Sequence, residues 1–373
     1  MSSFNTSDLG FAVGAGNGKH VDWSRFAYTQ YATDRFYLCN SLMLFESLHR
    51  LGSKADRVLM YPSEWPVSEE ILKESRMLRY ARHHYGVKLK PIEIQIKFGS
   101  DKTWSKSYTK LLAFNQTEYG RILNLDSDAT ILQTMDELFL APSSSVAMPL
   151  AYWKVKEKGV FTSALILIQP SAAAFDRTMD AISTANSSTF DMEIMNNIYK
   201  ETTLTIPHRP YILLTGEFRS NTHEAYLGNS GETWDAEKVF KETKYLHFSD
   251  WPVPKPWIKP HPGVVEEYQP PCELNPATGQ KDDCRAKNLC LINMAPTKSD
   301  IKARLPIRKR EAIKSHSIDE ETLLIWKVVK LTNEELCHPA LANTTEHFGD
   351  TEDHKEAKDS DNANDANEDK DAE

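Results

Sequence analysis

The sequence predicts an α/β protein with a mixed, mostly parallel central sheet and a C-terminal extension. Three observations lead there. A strand–helix–strand unit opens the chain at residues 23–61, as in nucleotide-binding α/β folds. Short apolar runs then alternate with helix-spaced segments as far as Phe248. One run, Ile122, Leu123 and Leu125, is apolar on both faces, as a buried parallel strand must be.

In chain order, residues 23–31 read as a strand, with Phe26, Tyr28 and Thr29 favouring extended geometry. Thr33 and Asp34 offer a cap; Tyr37, Leu38, Leu42, Phe45 and Leu48 follow helical spacing until Gly52. Residues 57–61 form the next strand, ended by Pro62. Residues 68–85 predict a helix stopped by Gly86, and 87–96 a strand in which Pro91 marks an edge or a bend. Residues 108–119 predict a third helix, leading through Gly120 into the 121–125 strand. Residues 135–139 suggest an amphipathic turn, 145–149 and 161–168 strands, and Pro170 a helix start. Residues 191–199 predict another helix, 244–248 a last strand, and 311–330 a final helix.

A chain of 373 residues holds one large or two ordinary domains. The net charge of −9 sits in the last 31 residues, which carry 12 acidic residues against 3 lysines. The remainder is neutral, so the body shows no basic bias toward nucleic acid. The 343–373 tail is too poor in apolar residues to fold alone and reads as disordered. No run of 18 apolar residues marks a membrane span, and the start lacks a signal-peptide core. As written the chain reads as cytoplasmic; the family resemblance given below implies the Golgi lumen instead if an N-terminal anchor is missing. Five cysteines without a C-x-x-C pair argue against structural zinc. Cys39 falls on the apolar face of its helix, while Cys272, Cys284 and Cys290 could pair in an oxidising compartment.

The chemistry gathers at strand ends. Asp126 and Asp128 follow the buried strand at a spacing of two, so on a continuing strand they share a face. Paired carboxylates at the carboxyl end of such a strand suit Mg²⁺ or Mn²⁺ carrying a diphosphate. Asp359-Ser360-Asp361 repeats the triplet in the acidic tail with no strand before it. The strand therefore carries the signal, and a solvated acidic turn is the alternative. His247 also ends a strand; if parallel strand ends converge, it completes a site favouring Mn²⁺. Lys255, held between Pro254 and Pro256, could oppose the charge of a departing phosphate. Lys110 is a second phosphate candidate, although by itself it reads as a solvated helix lysine.

Together these segments resemble the glycogenin-like retaining glycosyltransferases, family 8. The similarity rests on the 121–139 metal motif, Thr109-Lys110-Leu111 ahead of it, Phe161-Thr162-Ser163-Ala164 with Gln169-Pro170-Ser171, and residues 191–196. The closing His247-Phe248 through Lys255-Pro256-Trp257 is most similar to the fungal N-acetylglucosaminyltransferase branch. The resemblance implies a GT-A-type nucleotide-diphospho-sugar fold, a UDP-sugar donor, Mn²⁺ (or Mg²⁺) and a glycan or protein acceptor. It implies metal ligation by Asp126, Asp128 and His247, and nucleotide or diphosphate contacts from Thr33, Tyr37, Lys110 and Lys255. Thr162, Ser163, Asp191 and Asp250 would face the sugar, with Asp191 and Lys255 acting in catalysis. Residues 23–150 would form the nucleotide-sugar half and 151–262 the sugar and acceptor half, between a flexible 1–22 segment and an extension over 263–342. Thr162, Met192 and Asp250 depart from the family's Asn, Gln and Gly, all on the sugar side.

Two alternatives compete. A non-catalytic nucleotide-sugar binder of the same fold would explain the altered Thr162 and Met192. A haloacid-dehalogenase-like phosphatase would use Asp126 as nucleophile within Asp-x-Asp-x-Thr130. That class needs a second acidic pair after a later strand, and Asp282-Asp283 follows a loop.

Overall fold

The computed structural model describes residues 21–68, 72–96, 105–157, 159–186, 188–229, 231–248, 253, 255 and 263–268. Ten strands form two sheets among these residues: β1 Phe26–Tyr31, β2 Asp56–Pro62, β3 Val87–Ile92, β4 Arg121–Leu125, β5 Ala129–Ile131, β6 Val146–Pro149, β7 Leu165–Ile168, β8 Leu204–Ile206, β9 Leu213–Leu214 and β10 Tyr245–His247. The large sheet has the order β3-β2-β1-β4-β7-β6-β8. Its neighbours pair in parallel except at β7, which runs antiparallel to both β4 and β6. The predicted mixed, mostly parallel sheet is therefore present, with β7 as its reversed strand. A small sheet of order β5-β10-β9 stands beside it.

Both faces of the large sheet are covered. Leu123 and Leu125 pack with α1 (Arg35–Arg50) and α2 (Lys73–Tyr85). Ile122 packs on the other face with the 3-10 segment Ser107–Asn115, α3 (Ala172–Thr184) and α4 (Asp191–Tyr199). Alternate β4 residues thus enter opposite layers, which is why the run reads as continuously apolar. A third cluster, including Tyr152, Phe218, Tyr226 and α5 (Ala236–Glu242), backs the small sheet.

Several boundaries differ from those the sequence predicts. Residues 23–25 form a 3-10 turn capped by Asp22, so the first strand begins at Phe26. The second helix starts at Lys73, with no side-chain cap at Leu72. The third strand stops at Ile92 and lies at the sheet edge, as Pro91 requires. The segment expected as a helix over 108–119 is 3-10, ending at Asn115. Residues 161–164 precede β7 as a bridge, Phe161 to Leu150, rather than a ladder. The 311–330 helix, the acidic tail, Asp250, and Cys272, Cys284 and Cys290 lie outside the described residues. Cys39 is buried as expected, and it is disulfide-bonded. No described helix is long and apolar enough to cross a membrane.

Helix α1 sets the entry to the site. Asp34 accepts hydrogen bonds from the Phe36 and Tyr37 N–H groups at 2.9 and 3.0 Å, satisfying donors that the first helical turn leaves open. Asp34→Ala is expected to cost about 1 kcal/mol of unfolding free energy in urea titrations. An unchanged midpoint would remove the cap from the account.

Candidate active site

Strand β4 ends at Leu125, and the Asp126 N–H donates to the Ala164 carbonyl at 3.1 Å. The chain bends at the buried Ser127 and re-enters a ladder at Ala129. Asp126 therefore belongs to the end of the large sheet, and Asp128 to the start of the small one. His247 faces Ala129 across the antiparallel β5–β10 ladder, and the Phe248 N–H donates to the Asp128 carbonyl at 2.9 Å. The expectation that parallel strand ends bring His247 to the acids is thus corrected. An antiparallel pairing in a second sheet does so.

The two carboxylates divide their oxygens. Asp126 Oδ1 lies 2.6 Å from Lys110 Nζ, and its Oδ2 lies 3.7 Å from His247 Nε2. Asp128 Oδ2 lies 2.8 Å from Lys255 Nζ, and its Oδ1 lies 3.2 Å from His247 Nε2. One oxygen of each acid meets a lysine, and the other meets the imidazole. Among the described residues, neither Nε2 of His247, though close to Asp128, nor Nδ1 has a well-aligned hydrogen bond. Buried ring nitrogens without such bonds are uncommon. Nε2 fits a ligand atom set with the carboxylate oxygens around a shared point better than a proton donor aimed at one acceptor.

The ligand atoms of Asp126, Asp128 and His247 lie within 4.8 Å of one another. Two carboxylates and one imidazole suit Mn²⁺, or Mg²⁺, with coordination positions left for phosphate oxygens. The residues present fit such an ion.

Lys110 is not the solvated lysine its position suggests. It is buried, with Nζ also 2.7 Å from Asp191 Oδ2, and the Ser163 hydroxyl donates to the same oxygen at 2.6 Å. Burial opposes the charge on Lys110, but Asp126 and Asp191 outweigh it and raise its pKa. Burial likewise opposes ionisation of Asp191, yet Lys110 and the Ser163 hydroxyl hold its carboxyl below the usual range. The same balance applies at Asp128, where His247 and Lys255 hold the carboxyl well down. At His247 burial is outweighed by Asp128 and Asp126, and the ring pKa is raised.

Asp191 opens α4, where the helix N-terminus favours a negative charge. Asn196, one turn on, accepts from the Phe161 N–H and donates to the Phe161 carbonyl, at 2.9 and 2.8 Å. It pins α4 to the segment carrying Thr162 and Ser163. Thr162 is buried, and its hydroxyl accepts the Ala164 N–H at 3.2 Å. Lys255 also donates to the Phe248 carbonyl. Tyr37 feels both Asp128 and Asp126; burial first, then these charges, raises its phenol pKa. Thr33 is buried just before the α1 cap, and no hydrogen bond among the described residues joins it to the acids.

Sequence reasoning passed over two phenols. Burial, then the charges of Asp126, Asp191 and Asp128, push the Tyr31 phenol pKa well up. Tyr245 reaches the backbone beneath Asp126. Its spacing of two from His247 was the available signal.

No protein-family model matches the chain. It is 53% identical over 244 residues to the Glucose N-acetyltransferase 1 of Gibberella zeae, a match covering 64% of this chain and 54% of that protein. It is 45% identical over 284 residues to the protein of the same name from Aspergillus fumigatus, covering 72% and 74%. The chain thus spans about half the length of the first relative and three quarters of the second. Among solved structures, the galactosyltransferase LgtC with donor and acceptor sugar analogs is 12% identical, with a TM-score of 0.47 and coverage of 76% and 99%.

Proposed function

The chain belongs to the family of the Glucose N-acetyltransferase 1 proteins, and from that premise we propose that it is a metal-dependent glycosyltransferase of GT-A type. It would move a hexose or N-acetylhexosamine from a UDP-sugar, with retention, to a glycan or protein acceptor. The observation that carries this reading is the split use of the acids: outer oxygens on Lys110 and Lys255, inner oxygens and the His247 imidazole around one point.

Asp126, Asp128 and His247 would hold Mn²⁺, which when bound neutralises charge on the departing diphosphate. Lys255 stands beside Asp128 with a second cation for the same phosphates. Asp191, kept ionised by Lys110 and Ser163, supplies a fixed negative charge on the sugar side. Thr162, Ser163 and Asp250 would read the sugar; Thr33 and Tyr37 would lie against the nucleotide.

The relatives' name, read word by word, describes acetyl transfer to glucose. An acetyl thioester offers no diphosphate at its breaking bond for such a cluster to hold, so the geometry favours glycosyl transfer. Incubation with a panel of UDP-sugars tests the proposal. Mn²⁺-dependent release of UDP is expected with one donor, and EDTA abolishes it. Tight binding of UDP-sugar without release would assign a non-catalytic binder. No Mn²⁺-dependent binding and no release from any donor would overturn the proposal.

A further inference from the structure

The three atoms that face one another ride on two different sheets. Asp128 and His247 are locked together by the β5–β10 ladder and by the Phe248 N–H on the Asp128 carbonyl. Asp126 ends β4 of the large sheet. Between the two runs only the bend at Ser127, whose buried hydroxyl has no hydrogen-bond partner among the described residues. Something else must set the span from Asp126 to the Asp128–His247 pair.

Tyr245 is placed to do this. It lies two residues before His247 on β10, so both side chains leave the same face of the strand; their ring centroids are 6.4 Å apart. The phenol is fully buried, and its hydroxyl lies 3.1 Å from both the Asp126 and the Ala164 carbonyl oxygens. Those carbonyls belong to the end of β4 and the entry to β7, already joined by the Asp126 N–H on Ala164. Gln30 Nε2 reaches the Asp126 carbonyl from β1 at 3.3 Å. The one phenolic proton serves either carbonyl, and Gln30 supports Asp126 when it serves Ala164. Among the described residues, Tyr245 is the side chain of the small sheet whose hydrogen bond reaches the Asp126 backbone.

We infer that Tyr245 is a positioning residue of the metal centre: its hydroxyl ties the small sheet to the end of β4 and thereby fixes Asp126 against the Asp128–His247 pair. This role rests on the metal–diphosphate function proposed above. It assigns no ligand bond to Tyr245, which touches only backbone. Partners that orient metal ligands typically contribute about 10-fold or more in metal affinity.

The test is Tyr245→Phe in the full chain, with Mn²⁺ binding followed by the electron paramagnetic resonance of the free ion. Y245F is expected to bind Mn²⁺ about 10-fold more weakly than wild type. Tyr28→Phe is the control: it removes an equally buried hydroxyl, bonded to Asp136 and Met135 instead, and should leave Mn²⁺ binding unchanged. 4-Aminophenylalanine at 245, which keeps a donor, should restore affinity. Should Y245F fail to fold, 4-fluorophenylalanine fills the hydroxyl's volume without a proton and replaces it in the comparison. Mn²⁺ affinity equal to wild type in the variant without a donor overturns the role of Tyr245. A wild-type protein that binds no Mn²⁺ would instead sink the function beneath it.

Discussion

Asp128→Asn is expected to lose Mn²⁺-dependent UDP release by about 1,000-fold or more, the equivalent of several kcal/mol of lost transition-state charge stabilisation. The substitution keeps the shape of the side chain and removes its charge. Two contacts suffer together, since Asp128 meets His247 through one oxygen and Lys255 through the other. A neutral amide gives the ion a weaker ligand. It also leaves Lys255 held through the Phe248 carbonyl without its carboxylate partner. Steady-state UDP release and Mn²⁺ affinity should fall in parallel. Release within a factor of about 10 of wild type, a loss of only about 1.4 kcal/mol, would mean that the centre does not depend on this acid.

Lys110→Met is expected to destabilise the metal-free fold by about 3–5 kcal/mol, the usual result of removing one partner from a buried ionic group. Methionine fills much of the same volume and leaves Asp126 and Asp191, each within 2.7 Å of the ammonium, without their shared cation. The pH dependence follows from Asp191, whose folded pKa lies below its ordinary value because Lys110 and Ser163 outweigh burial. A depressed carboxyl contributes stability that is complete above the unfolded pKa of about 4 and is lost as pH falls through the folded value. The difference between wild type and K110M should therefore be largest near neutrality and shrink in acid. Urea titrations in EDTA at both pH values measure it. A neutral-pH difference below about 1 kcal/mol would place Lys110 among solvated pairs instead.

Much of the large sheet was legible because its strands are long enough to show their character. β4 alternates between two packed layers and reads as uninterrupted apolar sequence. The α4 helix appears at Asp191–Tyr199, where its apolar spacing put it. The small sheet was not legible apart from β10. Ala129–Ile131 and Leu213–Leu214 are three and two residues long, too short for any periodicity to register. The reversal of β7 leaves no mark in its composition, since a strand buried on both faces looks alike in either direction. Nor does a 3-10 segment differ from an α-helix in which residues are apolar, so Ser107–Asn115 passed for the latter. At the site, the acids and His247 were readable as strand ends. The burial of Lys110 was not, because Asp191, one of its two partners, lies far along the chain. A lysine's surroundings are tertiary information.

The order β5-β10-β9 also has a temporal side. β10 is the middle strand of its sheet, yet the last of the three to leave the ribosome. Until it arrives, β5 and β9 have no strand to pair with among the described residues, while β1 to β4 can already have assembled. The contact from Tyr245 back to Asp126 closes a separation of 119 residues, the kind of non-local closure that slows folding. A nascent chain can thus complete the first half of its large sheet while the centre is still open. The Asp126, Asp128 and His247 side chains come together only once β10 has zipped in, so the proposed ion site forms after most of the large sheet has left the ribosome.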